Sequence, residues 1–458
     1  MAENQSTTVE LGKEPVGKLL LKYSIPAIVG MVVVSLYNIV DRVFIGQGVG
    51  AMAISGLALT FPLMNMVAAV GTLVGVGAST RISIVLGMRD IKWARNILGN
   101  AFFLTFILSI LLITPSMIWM EDILRLFGGS DQTIPYAKDY LYIVIPGSVL
   151  TNLSFSFGGM MRAVGFPKKS MLVNIIGVGL NFILDPIFIF GFGMGIQGAA
   201  WATVISMFVS ALFVMHHFAN KNNELHFERE GFRLKARIIR NIVSIGLAPF
   251  LMNTAGSLVN IIMNRQLFDT GGDLAIGAFG IINSYGAFAV MMVMGVCQGM
   301  QPIVGYNYGA NHLKRMKDTF ILAIKVSTAI TCFGFLLGEL LPGLLVRLFT
   351  SDEGLREITI PGMRIVFAMY PIIGFQIIVA QFHQSIGMAK EAIFMSLSRQ
   401  ILFLIPLIYV FGRIWGLSGV WLALPVSDTI AVLTAVYFLF RVKKIFYPRP
   451  RIKFAGSR

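Results

Sequence analysis

The chain has 458 residues, of which 56% are hydrophobic and only 13% charged. Soluble domains carry about 25% charged residues, so an ordinary soluble protein is excluded. A net charge of +15 alone would suit a nucleic-acid binder, but the basic residues fall in alternate short loops, which argues against nucleic acid as a partner. Cys297 and Cys332 both lie in apolar runs and support neither a disulfide framework nor a metal site.

Apolar runs of about 20 residues, each long enough to cross roughly 30 Å of hydrocarbon as a helix, recur along the whole chain. In chain order they predict twelve spans, at 17–42, 53–78, 95–117, 135–161, 170–190, 196–219, 241–265, 275–304, 318–342, 361–386, 393–412 and 417–440. The polar tail 1–16 lacks a signal-peptide core, so no cleavage is expected. A charged linker, 220–240, separates spans six and seven, and a basic tail, 441–458, closes the chain.

Loop charge alternates along this series. Lys18 and Lys22, then Arg89, Lys92 and Arg95, then Arg162, Lys168 and Lys169 fall on one side. The linker, Lys314, Arg315, Lys317 and the C-terminal tail fall there too. The other side is poor in basic residues, with one Arg among three acids in "EDILRLFGGSD" and no charge in "GFGMG". The positive-inside rule then places both termini in the cytoplasm, with the chain in the plasma (inner) membrane among its lipids.

The second half repeats the first. Gly87 and Gly309, Gly165 and Gly387, and the "RLF" at 125–127 and 347–349 all stand 222 residues apart. Pro26 and Pro249 differ by 223, and Gly195 and Gly416 by 221. Each half holds six spans, so the repeats run in the same direction. A pseudo-twofold axis along the membrane normal follows, with lobes at 17–219 and 241–440 and a cavity between them. The expected fold is an all-α polytopic membrane protein of two six-helix lobes. Such architecture belongs mostly to transporters.

Ionisable groups at membrane depth are costly and mark function by default. The acids inside the spans are Asp41, Asp185, Glu339 and Asp428. A structural need of the fold should appear in both lobes, yet Asp41 aligns with Asn264 and Asp185 with Ile405. Asp41 lies 19 residues beyond Lys22 and Asp185 lies 16 beyond Lys169, or about 28 and 24 Å along helices. The two acids therefore sit at similar heights. Asn38 shares a helix face with Asp41, and Asn181 with Asp185; Thr203 reaches the same level. These hard oxygen donors suit a proton or an alkali cation and not a soft metal. The bland alternative is that the carboxylates only hydrogen-bond between helices or touch interfacial water.

"LDPIFIFGFGMGIQGAAWAT" across spans five and six and "GVCQGMQPIVGYNYGA" closing span eight resemble the MATE family (multidrug and toxic compound extrusion). The resemblance covers about residues 15 to 440. It implies a V of two six-helix lobes and export of cationic drugs in exchange for Na⁺ or H⁺, with no enzyme activity and no cofactor. It resembles the archaeal and DNA-damage-inducible branch, which implies a coupling site at Asp41, Asn181, Asp185 and Thr203, with Asn38 beside it. Any Na⁺ would bind there. The branch that couples through acids on spans seven and ten is disfavoured, since "APFLMNTAGSLVNIIMN" and "YPIIGFQIIVAQFHQSIG" contain no Asp or Glu.

The remaining signals have plainer readings. "GMGIQG" at 193–198 fits a dinucleotide fingerprint but joins two apolar helices, so it reads as a tight turn. Met-rich surfaces repack around varied shapes. Tyr37, Met64, Met160, Met207 and Asp428 are the expected lining of the drug cavity, with Asp428 open to substrate contact or a structural hydrogen bond. Arg42 and Arg265 are duplicated and read as scaffold. The expected function is cation-coupled multidrug efflux, with small-molecule drugs as partners and the monomer as the working unit. A flippase for lipid-linked oligosaccharides is the alternative. It would want a strongly basic central cavity, and mid-span Arg and Lys are scarce.

Overall fold

The computed structural model describes residues 6–49, 51–350 and 352–442. Side chains 6, 7, 37–40, 42, 43, 46, 47, 51, 52 and 54 lie outside that description, so the expectations for Tyr37, Asn38 and Arg42 fall beyond it.

The described chain is helical from end to end. A short helix, α1 (Ser6–Lys13), precedes α2 (Val16–Gly48), α3 (Ala51–Gly87) and α4 (Ile91–Ile118). The small α5 (Met120–Leu126) leads to α6 (Ile134–Ala163), α7 (Pro167–Pro186) and α8 (Gly195–Ala219). Beyond the linker run α9 (Ala236–Gly309), α10 (Leu313–Leu340), the small α11 (Pro342–Arg347), α12 (Glu353–Phe367), α13 (Tyr370–Ser385), α14 (Ala389–Leu397) and α15 (Ile405–Val442).

Nine of these stretches are long and apolar enough to cross a membrane among the described residues. Two of them hold two spans each. α9 breaks at Gly272 (φ 67°) and α15 at Gly416 (φ 59°), left-handed backbone that glycine adopts without a Cβ clash. α12 and α13 make one further span, bent by 51°. The sequence reads that span as one straight run, but the chain leaves the helix around Ala368–Met369, just ahead of Pro371. Twelve spans in two lobes result. The turn "GMGIQG" mirrors the break in α15, since Gly195 (φ 58°) is the repeat mate of Gly416.

The two lobes meet on the side of the basic loops. α3 crosses the first half of α9 where Gly77 faces the Ile242 backbone and Gly246 faces that of Leu73. α2 crosses the second half of α9, with Gly299 against Ser24 and Gly295 against Ile28. Gln301 adds hydrogen bonds across the seam, its Nε2 donating to Ser79 Oγ at 3.0 Å and Thr80 Oγ1 at 2.5 Å. One apolar core runs through both lobes here. A second apolar cluster, around Ile45, Leu57, Leu141 and Ile196, belongs to the N-lobe alone and fills its opposite half. The V opens away from the basic loops.

The polar segments on the basic side close over the seam. α1 packs beneath it with Leu11 fully buried, and its Leu11 carbonyl accepts from Asn307 Nδ2 at 2.9 Å. Thr8 Oγ1 donates to Glu224 of the linker at 2.7 Å. The linker itself lies along α4, as Asn100 Nδ2 donates to the Gly231 and Arg233 carbonyls and Asn100 Oδ1 accepts from Lys235 N.

Candidate functional site

Four helices of the N-lobe converge on a buried polar cluster. α2 brings Asp41, α7 brings Asn181 and Asp185, α8 brings Thr203, and α6 brings Tyr140. All five are buried. Asn181 Nδ2 donates to Thr203 Oγ1 at 3.3 Å. The Asp185 carboxyl faces both Asp41 and Asn181. Tyr140 is hydrogen-bonded to Thr203 and lies in the field of both carboxyls. Asp41 and Asp185, distant in sequence, are thus brought together with Asn181 and Thr203.

Local winding aims Asp185 at this cluster. Pro186 has no N–H to give the preceding turn, and the next five residues, Ile187–Gly191, wind as a π-helix. A π stretch widens the helix and turns the side chains beside it, a device common at functional sites. Both Asp185 oxygens and Asn181 Oδ1 are buried without a well-aligned hydrogen-bond partner. Buried acceptors of this kind cost free energy unless something pairs them. No group of three or more His, Cys, Asp or Glu side chains is placed to hold a metal ion among the described residues.

Tyr140 does not stand out in sequence, since a buried tyrosine in a membrane helix is unremarkable. The repeat carries the signal for it: its mate, 222 residues on, is Gly362. The same test holds for Asp41 itself, which is buried while Asn264 is exposed.

A second site lies between the lobes. It is a cavity of about 280 Å³ whose walls are repeat mates, among them Thr72 and Met294, Val76 and Gln298, Ser79 and Gln301, Gly159 and Gln381, and Arg162 and Gln384. The pseudo-twofold axis therefore passes through it. None of Asp41, Asn181, Asp185 or Thr203 lines it.

The methionines that line the cavity are Met31, Met252 and Met294. Met160 is fully buried in the two-lobe core, while Met64 and Met207 pack on the N-lobe cluster of the opposite half. Asp428 stands behind the wall, buried, and accepts from Arg399 Nε at 2.6 Å. Arg399 faces the cavity in its place. It belongs to a second π stretch, Ser398–Leu404, so a regular helical period misplaces it. The glutamines of α9 and α13 on the wall are likewise silent in sequence, as uncharged residues give no cost signal there.

A two-lobed helical bundle with a buried polar cluster in one lobe and a cavity on its pseudo-twofold axis is a membrane transporter, not an enzyme. The MatE family profile matches residues 26–187 and 247–410, and the chain belongs to that family. It is 28% identical over 436 residues to the multidrug export protein MepA of Staphylococcus aureus, covering 94% of this chain and 95% of that one. MepA of Staphylococcus haemolyticus is 28% identical over 427 residues, covering 93% and 94%. Among solved structures, a MATE transporter in the bent conformation superposes with a TM-score of 0.91 at 24% identity, covering 96% of this chain and 98% of that one. An outward-facing MATE transporter of the MOP superfamily gives 0.89 at 23% identity, covering 95% and 98%.

Proposed function

We propose that this chain is a multidrug efflux antiporter of the plasma membrane that exchanges H⁺ or Na⁺ for lipophilic small molecules by alternating access. The observation that carries the reading is the facing of Asp185 and Asp41 in the N-lobe, apart from a cavity that those residues do not line. The relatives named as multidrug export proteins support the cargo class.

Two carboxyls side by side in a low dielectric repel each other and lose hydration. A proton or Na⁺ entering from outside neutralises the pair and fits the oxygens of Asp185 and Asn181 that no well-aligned donor reaches. α2, α7 and α8 then repack, and α2 also forms part of the seam with α9. The neutralised state disfavours bound cargo, which yields exchange. One charge moving inward supplies about 2.3 kcal/mol per 100 mV. The basic loops put both termini in the cytoplasm, so the closed side of the V is cytoplasmic and the cavity loads or releases outward. The monomer holds both sites.

Dye efflux from proteoliposomes under imposed H⁺ or Na⁺ gradients tests this. Asp41→Asn and Asp185→Asn should each abolish gradient-driven efflux while the protein still binds dye. Coupled efflux that survives both substitutions would sink the site assignment.

A further inference from the structure

We infer that the central cavity is built to receive an acid group, a carboxylate or a phosphate carried on an otherwise lipophilic cargo. The inference rests on the exporter reading above and names its substrate class. Among the described residues the cavity wall contains no Asp or Glu, and it contains two arginines, one from each lobe.

A guanidinium keeps its charge at every physiological pH and offers five N–H donors in a planar fork. Arg162, at the end of α6, uses Nη1 to donate to Ser170 Oγ at 2.6 Å, and among the described residues no carboxylate pairs with it. Arg399 spends Nε on Asp428, and among the described residues no bond to either of its Nη groups is seen. Asp428 neutralises Arg399 from behind and does not reach the cavity. The surface shown to cargo is therefore net positive, by one uncompensated arginine.

That polarity sorts ligands. A lipophilic cation entering here meets Arg162 with no carboxylate to receive it, and like charges confined in a low dielectric repel strongly. A carboxylate or phosphate instead meets the remaining N–H donors of two guanidiniums, which give it charge-assisted hydrogen bonds. The rest of the wall suits the remainder of such a molecule. Phe155, Ile377 and Met31 supply apolar contact. Gln400 Oε1, buried without a partner, accepts a hydroxyl or amide N–H. Arginine is present at 162 where the second lobe has Gln384, so the fold does not demand the charge at that position.

The test uses two xanthene dyes of similar shape and opposite charge, fluorescein and rhodamine 6G. Binding to the purified full chain in maltoside micelles is followed by fluorescence polarisation. Fluorescein should bind more tightly, and Arg162→Gln and Arg399→Gln should each weaken it about tenfold without weakening rhodamine 6G. Arg399→Lys keeps the Asp428 pair but loses the fork, and should show the same direction if Arg399→Gln does not fold. Tighter binding of rhodamine 6G, or a preference that these variants leave unchanged, overturns the inference.

Gradient-driven efflux of rhodamine 6G without fluorescein binding overturns it while leaving the exporter reading intact; binding of neither dye removes both. Displacement of fluorescein by dioctanoyl phosphatidylglycerol alone assigns the acid group to lipid, and displacement by salicylate alone assigns it to free organic acids. Both results uphold the inference, and displacement by neither defeats it.

Discussion

Gly87 and Gly309 hold equivalent places in the two repeats, and each is pressed against the backbone of the other's helix. A Cβ on Gly87 would overlap the Tyr306 carbonyl, and one on Gly309 would overlap that of Ile84. Ile84 and Tyr306 are themselves 222 residues apart, so this contact obeys the pseudo-twofold axis. It is the tightest kind of helix approach, available only where both partners lack side chains. Backbone cannot move aside as a side chain can. Gly87→Ala and Gly309→Ala should therefore each shift the protein toward opening on the basic-loop side. Cys297, fully buried at the cavity wall, is a built-in reporter once Cys332 is changed to serine. An impermeant maleimide added from that side should modify Cys297 several-fold faster in both variants, roughly what a shift of 1 kcal/mol produces. Unchanged rates in folded variants would mean that this contact does not hold the lobes together.

Tyr140 bears on the coupling cation without being an acid. Its hydroxyl meets Thr203 and lies near both carboxyls. Tyr140→Phe removes that hydroxyl and little volume, leaving Thr203 to compete for the same oxygens. The cation concentration for half-maximal efflux should rise about tenfold, the worth of one hydrogen bond to a charged site. Dye affinity at saturating cation should stay as it was. A change in dye affinity alone would place Tyr140 in cargo binding instead.

Charge and repetition carried most of what the sequence could say. Asp41 and Asp185 stood out because a carboxylate in hydrocarbon is expensive and because neither has an acidic mate in the second lobe. Helix rise put them at one height, and the structure brings them face to face. The cavity was far less legible. Its character comes from Arg162, which reads as a loop residue, and from Arg399, whose direction depends on π winding that no 3.6-residue period contains. Its glutamines carry no charge to betray them. Met64 and Met207 had the right chemistry for a cavity but belong to the apolar half-lobe around Ile45, because methionine fills lipid-facing cores as readily as drug sites.

Asn100 ties the linker to the N-lobe through three backbone hydrogen bonds. Arg95 adds two donors to the Glu224 carbonyl. Asn100→Ala strands the two carbonyls and one N–H that it satisfied, at a cost of about 1–3 kcal/mol. The linker carries Arg229, Arg233 and Lys235, so limited trypsin digestion reads its release directly. Cleavage there should run about tenfold faster than in the unaltered chain. Equal digestion rates would mean that the remaining contacts hold the linker alone.

Among the described span residues of the C-lobe, Asp428 and Arg399 make a buried ion pair, at 2.6 Å with the acid 5% exposed on its side chain. Removing one member of a buried pair leaves a charge without its partner, which costs about 3–5 kcal/mol. Replacing both often costs far less, since neither charge then has to leave water. Asp428→Asn should thus lower the melting temperature markedly and leave Arg399 free to swing into the cavity. That swing adds a second uncompensated charge to the wall, so Asp428→Asn should also bind fluorescein more tightly despite its lower stability. Adding Arg399→Gln to Asp428→Asn should recover most of the melting temperature and lose the gain in fluorescein binding. A carboxylate that served cargo directly would behave otherwise, with Asp428→Asn weakening rhodamine 6G and leaving stability nearly untouched. The two roles differ in both readouts, a lowered melting temperature with tighter fluorescein binding against an unchanged one with weaker rhodamine 6G binding, so a melting curve and a polarisation titration on these two variants separate a brace from a binding group.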